Sequence, residues 1–305
     1  MKKVTPAEIE KLFNDKLSDY VKKKIQSYAL EYVPLTKNGA DGVFIKIINT
    51  LLDPFIVYSG PHRLKQWEKG WGQNLKSLKS EKRSEAVSPH YFGKYEVNRL
   101  NQNFVKGLSP DYEKNMLYLI LDYVFDKYFR DYENIYEFGC GTGHNLLKVH
   151  EVNPSAHLFG LDWTTASQKI IQKMRENGIV KNIEGYNFDF FNPNKKIKIL
   201  KNSAIYTVAA LEQTGSNYKK FVSYLLKNKP DLCVHVEPVA ELLDETSLID
   251  NLSVKYFRKR NYLNGYLDYL RKLEKEGVLE ILEAKRTYIG SFFIEGYSLI
   301  VWRPK

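Results

Sequence analysis

Tyr136-Glu137-Phe138-Gly139-Cys140-Gly141-Thr142-Gly143 decides how this chain is read. Asn134 to Phe138 has the length and apolar content of a buried strand, and glycine then stands at 139, 141 and 143. Glycine has no side chain to block a neighbour, so a strand ending in such a turn brings bare backbone close to a ligand. A helix is expected to start near His144, with its unpaired N–H groups facing an anionic group in front of the turn. A dinucleotide fingerprint, GxGxxG/A counted from Gly139, needs glycine or alanine at 144; His144 is too large for that close helix–strand packing.

Downstream, strands alternate with helices. Ala156 to Leu161 reads as a second strand, ending at Asp162, 19 residues beyond Gly143. A carboxylate at that place can bridge the two hydroxyls of a ribose. Thr165 to Asn177 reads as a helix stopped by Gly178, and Ile183 to Phe188 as a third strand ending near Asp189, where an acid can accept from an adenine amino group. Further strands are expected over Ser203–Ala209 and Leu232–Val236, helices between about Glu241 and Glu276, and a last pair of strands over Leu279–Tyr288 and Gly296–Trp302. Such alternation predicts a parallel sheet covered by helices on both faces, with an antiparallel final pair. Ligands of these sheets bind outside the carboxyl ends of the strands, so the glycine turn, Asp162 and Asp189 are expected to converge at one edge.

Upstream, the pattern is helical. Thr5, Pro6 and Glu8 read as a helix start, followed by apolar residues at helical spacing from Ile9 to Ile25. A second apolar stretch, Val43 to Tyr58, stops at Ser59-Gly60-Pro61. Residues 62–105 are rich in aromatic and polar side chains, and Ser109-Pro110 opens a strong helix over about Asp111–Phe129. The expected organisation is a helical cap over residues 1–106 and a Rossmann-like domain over 107–305. Trp67, Trp71, Gln73, Tyr91, Phe92 and Tyr95 have the chemistry of a lid over the site, flat apolar faces with polar tips; the alternative is ordinary packing of the cap on the sheet.

The motifs together resemble the class I S-adenosylmethionine (SAM)-dependent methyltransferases. IYEFGCGTGHN is similar to their first motif, LFGLDW to the second, NFDFF to the third, and IYTVAALEQTG to the segment of strand four; the resemblance covers about residues 107–305. It implies a seven-stranded, mostly parallel sheet with an antiparallel last strand, and SAM as cofactor with S-adenosylhomocysteine as product. It also implies that Gly139, Gly141 and Gly143 line the methionine moiety and that Glu137 helps hold its amino end. By the same resemblance Asp162 binds the ribose, Trp163 packs beside the adenine and Asp189 and Phe190 flank it, while Ala209, Ala210 and Leu211 pass close to the sulfonium. An oxygen acceptor needs a base. Glu212, His235 and Glu237 stand at strand carboxyl ends and are the candidates, with a satisfied core histidine the competing reading of His235.

Composition narrows the partners. The formal net charge is +10, yet the positive charge is thinly spread, and lysine, asparagine, isoleucine and tyrosine are abundant together in the manner of a genome-wide bias. A small-molecule acceptor is therefore expected rather than a nucleic acid, with a sugar or other surface-polysaccharide precursor as one guess. An RNA or protein methyltransferase is the alternative, and a non-catalytic SAM-binding protein the second. No Asn-Pro-Pro-Tyr-type tetrapeptide follows strand four; Phe191-Asn192-Pro193-Asn194 reads as a turn. The six histidines form no ligand-spaced set, so no metal is expected. Two isolated cysteines, Cys140 and Cys233, the lack of a long apolar run and an N-terminus without a signal-like apolar stretch fit a cytoplasmic protein away from membranes.

Overall fold

The computed structural model describes all 305 residues. After a two-residue strand, β1 (Lys2–Lys3), the Thr5 hydroxyl accepts from the Glu8 N–H at 3.2 Å and Pro6 takes the first helical position, so α1 runs Pro6–Phe13. Ser18 caps α2 (Asp19–Ser27) in the same way, β2 spans Glu31–Pro34, and Thr36 caps α3 (Lys37–Leu52). Helix α4 (Leu64–Glu81), strands β3 (Val97–Leu100) and β4 (Asn103–Gly107), and the long helix α5 (Tyr112–Tyr128) follow.

The helices expected before residue 107 are present, but four strands interleave with them. β1, β2, β4 and β3 lie side by side in that order, all pairs antiparallel. They are two to five residues long, and β3 buries Asn98 and Arg99 along with Leu100, so no apolar alternation marks them.

The second half holds β5 (Asn134–Phe138), α6 (His144–Val152), β6 (His157–Asp162), α7 (Thr165–Glu176), β7 (Ile183–Asn187), β8 (Ser203–Val208), α8 (Lys219–Asn228) and β9 (Leu232–Glu237). Then come α9 (Leu248–Arg260), α10 (Tyr266–Lys275), β10 (Leu279–Lys285), β11 (Ile289–Ser291) and β12 (Ser298–Pro304). Seven of these strands form one Rossmann-like sheet, in the order β10-β12-β9-β8-β5-β6-β7. β12 is antiparallel to both its neighbours and every other pairing is parallel. Strand order reverses between β5 and β8, which opens a crevice outside their carboxyl ends. Ile135 packs into the core on one face of the sheet, and Tyr136 and Phe138 into the core on the other.

The expected hairpin of the last two strands has a detour. β11 leaves the large sheet and pairs with β3, setting Gly290 opposite Arg99, so the C-terminal part completes the small sheet as its fifth strand. The small sheet thus joins residues from both sides of position 106. A buried charge network fastens the same seam: Arg99 pairs with Asp250 and, at 3.3 Å, with Glu295, and Arg286 reaches Asp250 at 2.8 Å and Glu295 at 2.6 Å.

Removing one partner of a buried network strands the others. Arg99→Ala is expected to cost about 3–5 kcal/mol in urea unfolding. Arg130→Ala, which breaks an exposed pair with Asp126, is expected to cost less than about 0.5 kcal/mol.

Candidate active site

The turn after β5 needs its glycines for three different neighbours. Gly139, Gly141 and Gly143 have φ of +76°, +53° and +74°. A Cβ on Gly139 would stand 2.4 Å from the Ala210 Cβ, and one on Gly141 would stand 2.9 Å from the Trp71 ring. On Gly143 it would meet Ile171 Cδ1 of α7 at 2.5 Å. Gly139 and Gly141 line the crevice. Gly143 does not; it packs the turn against α7, in place of the ligand contact expected of it.

Trp67 and Trp71 of α4, stacked at 5.2 Å, roof the crevice and line both of its chambers. One chamber, about 510 Å³, is a slot between Phe188, Phe190, Phe191 and Trp163, floored by Gly139 and Asp162. Asp162 Oδ2 accepts from the Gly141 N–H at 3.0 Å, and Oδ1 accepts from the Thr164 N–H at 2.8 Å and hydroxyl at 2.7 Å. Oδ2 retains acceptor capacity toward the slot. Trp163 stacks on Phe191 at 6.1 Å.

Asp189 departs from expectation. It is absent from the lining of the slot, and its carboxylate accepts from the Phe191 N–H at 2.8 Å. An Asx turn is the local solution for an aspartate just past a strand, and it presents Phe190 and Phe191 to the slot instead of the acid.

The other chamber, about 730 Å³, is bounded by Tyr91, His144, Asn145, Glu212 and Tyr297, and meets the slot at Gly139 and Ala209. Glu137 is buried at its back, accepting from Asn145 Nδ2 at 2.7 Å and the Tyr206 hydroxyl at 3.0 Å; burial pushes its carboxyl up to about 8. Asn145 Oδ1 and His144 Nε2 are buried in the same wall without a hydrogen-bond partner, and burial holds the His144 ring neutral, down to about 3.

The three candidate bases part company. Glu212 faces the chamber, accepting from Gln213 Nε2 at 2.8 Å, and burial together with the charge of Glu237 pushes its carboxyl up to about 8. Glu237 lies beneath it and accepts from the N–H groups of Ala210 and Leu211 at 3.0 Å and of Glu212 at 3.1 Å. Burial pushes Glu237 up to about 7 against the pull of those amides. It is fully buried and lines neither chamber, so it holds the strand-four loop and does not reach an acceptor. His235 lies in the core: its Nε2 accepts from the Trp302 indole N–H at 3.0 Å, which leaves the proton on Nδ1 for Thr207 Oγ1 at 2.9 Å. Burial keeps it neutral, down to about 3, and it lines neither chamber. Leu211, expected beside the ligand, is buried in the core, whereas Ala209 and Ala210 line the crevice.

Of the aromatic segment, Trp67, Trp71 and Tyr91 reach the crevice. Phe92 packs edge-on against His144 at 5.9 Å. Gln73 is exposed on the outer face of α4, and Tyr95 stacks on Phe292 at 5.0 Å, away from both chambers. Glu68 accepts from the N–H groups of Thr165 at 2.7 Å and Ala166 at 3.0 Å, which fixes α4 to the N-terminus of α7. The sequence reading passed over Phe191, Gln213, Asn145 and Tyr297. The first two sit in the quoted NFDFF and LEQTG stretches, and Asn145 follows the glycines directly, but Tyr297 carries no local signal. No group of three or more His, Cys, Asp or Glu side chains stands in an arrangement able to hold a metal ion, and no helix is long and apolar enough to cross a membrane.

No family model and no curated protein matches the sequence. Among solved structures, LaPhzM is 15% identical with a TM-score of 0.45, covering 64% of this chain and 57% of its own. The magnesium protoporphyrin IX methyltransferase ChlM from Synechocystis, solved with SAM, is 13% identical with a TM-score of 0.45, over 63% of this chain and 82% of its own. The methyltransferase PaMTH1 from Podospora anserina, solved with S-adenosylhomocysteine, is 12% identical with a TM-score of 0.45, over 90% of this chain and 99% of its own. The match spans little more than half the length of LaPhzM. At this level of similarity the reading of the site rests on the chain's own residues.

Glu237→Ala leaves three N–H groups without their acceptor, that of Leu211 buried and those of Ala210 and Glu212 part-buried. It is expected to lower stability by about 1–3 kcal/mol in chemical unfolding, the cost of the one fully stranded group. Gln73→Ala, on the exposed face of α4, serves as the comparison and is expected to cost less than about 0.5 kcal/mol.

Proposed function

We propose that this chain is a SAM-dependent methyltransferase acting on an oxygen or nitrogen of a small molecule. The observation that carries the reading is the meeting, at the switch point between β5 and β8, of two close-approach glycines, Asp162 and a flat aromatic slot. The residues fit the cofactor. The slot between Phe188, Phe190 and Trp163 suits a planar base, and Asp162 Oδ2 keeps a lone pair for a ribose hydroxyl. The unpartnered Asn145 Oδ1, beside Glu137, is an acceptor in wait for an ammonium group.

Bound SAM supplies a methyl group already activated on a sulfonium. The chain's own task is therefore to align the acceptor, exclude water and take a proton. Trp67 and Trp71 exclude water from above. Glu212, on the rim shared with Ala209, is the group placed to accept the acceptor's proton. A roofed chamber walled by tyrosines supports a small acceptor over an RNA or protein chain, and a sugar or surface-polysaccharide precursor falls within that class. The retained Glu212 supports an enzyme over a non-catalytic binder. Two buried, unpaired cysteines suit a reducing, cytoplasmic setting.

Calorimetry is expected to show S-adenosylhomocysteine binding to the wild-type chain and no binding of NAD. Asp162→Ala is expected to weaken that binding by about 1.5–3 kcal/mol; an unchanged dissociation constant would count against the ribose role. Glu212→Gln is expected to keep the affinity and slow turnover by roughly a hundredfold to ten-thousandfold with an acceptor identified by S-adenosylhomocysteine release. A carboxyl raised to about 8 is a base only once deprotonated, so wild-type turnover is expected to rise as pH passes about 8. The Gln variant is expected to lose that rise.

A further inference from the structure

We propose that the acceptor carries a carboxylate or phosphate group, and that Arg63 and Arg260 hold it beside Glu212. This rests on the methyltransferase reading and names its substrate class. Elsewhere the chain neutralises its buried cations: Arg99 and Arg286 share Asp250 and Glu295, and Lys148 pairs with Asp122 at 2.8 Å and Glu151 at 2.7 Å. Arg63 and Arg260 are different. Arg63 is 7% exposed, and its guanidinium donates only to neutral groups, from Nε to Gln66 at 3.1 Å and from Nη1 to Gln213 at 2.7 Å, with its face 4.9 Å from the Trp67 ring. Arg260 lies against the rings of Tyr256 and Tyr262, at 5.9 and 5.2 Å; its one side-chain hydrogen bond is to the Tyr262 hydroxyl at 3.4 Å, and its Nε is buried without a partner.

The two residues stand on segments that are fastened to one another. The Ser59 N–H donates to the Arg260 carbonyl at 2.6 Å, and Asn261 Nδ2 donates to the Ser59 carbonyl at 3.1 Å, so the stretch that leads into Arg63 is tied to the end of α9. The Ser59 hydroxyl is fully buried there, also without a partner. Burial, and after it the charge of Arg260, loosens the proton of Arg63, whereas at Arg260 the hydroxyls of Tyr262 and Tyr256 outweigh burial and hold the proton more tightly. Neither guanidinium forms an ion pair with a carboxylate: Glu212, the acid whose charge acts on both, takes its side-chain hydrogen bond from Gln213 at 2.8 Å.

Arg63 is a buried cation and Arg260 a half-buried one, neither with a carboxylate partner, a costly arrangement that the chain avoids at Arg99. A ligand anion closes the account of charges. Guanidinium forks suit the paired oxygens of a carboxylate or phosphate, and stacking on Trp67, Tyr256 and Tyr262 holds them ready. The link to chemistry is direct: Arg63 donates to Gln213, which donates to Glu212, so an anion on the arginines sets the rest of the acceptor beside the base.

The test uses the full chain with and without saturating S-adenosylhomocysteine, at constant ionic strength. 4-Hydroxybenzoate, phenyl phosphate and neutral phenol are titrated, followed by calorimetry. At least one anion is expected to bind ten times or more tighter than phenol, and the better of the two identifies carboxylate or phosphate. Arg63→Gln and Arg260→Gln are each expected to weaken that anion at least tenfold, with S-adenosylhomocysteine affinity unchanged in Arg260→Gln as proof of an intact fold. Anions that bind no better than phenol, or as well to the Arg260→Gln chain as to wild type, overturn the proposal. Anion binding in a wild-type chain that ignores S-adenosylhomocysteine would instead sink the methyltransferase reading and leave the arginine site standing.

Discussion

Three backbone N–H groups, from Ala210, Leu211 and Glu212, converge on the carboxylate of Glu237, and the shape of the crevice follows from that clamp. β8 ends at Val208, and Ala209 takes a left-handed backbone with φ of +46°, unusual for a residue with a Cβ. The clamp is what holds it there. It sets Ala210 so close to the β5 turn that only glycine fits at 139, and it swings Glu212 out toward the chamber while Leu211 stays in the core. A carboxylate sealed beneath the loop thereby determines what the neighbouring carboxylate at the chamber wall can reach.

The large sheet was legible because its inner strands, β5, β6, β8, β9 and β12, are buried on both faces and so read as apolar runs, and because two of them end in a residue type with a clear preference, glycine after β5 and aspartate at the end of β6. The small sheet was not, since strands of two to five residues give no period to count and its fifth member comes from residues 289–291. Phase misled at Gln73: on α4, Trp67 and Trp71 are four apart and share a face, and a residue two further on turns to solvent. At Asp189 a local turn took the side chain that a ligand was expected to use.

Distance along the chain hid the rest. Glu237 looks in the sequence like any acid past a strand, and only its neighbours in space separate a clamp from a base. Arg63 and Arg260 are nearly two hundred residues apart, and what sets them off is a lack of carboxylate partners that no motif records. His235 follows the same logic in reverse: a histidine near a strand end looked available, yet indole, phenol and threonine hydroxyl enclose it.

Glu68 joins two elements into one mechanical unit. Its carboxylate sits on the first amides of α7, a helix that begins three residues after Asp162, and the stacked tryptophans that roof the crevice stand on the same stretch of α4. Two charge-assisted bonds to the positive end of α7 thus hold the tryptophans over the crevice and the acid below them in one fixed relation.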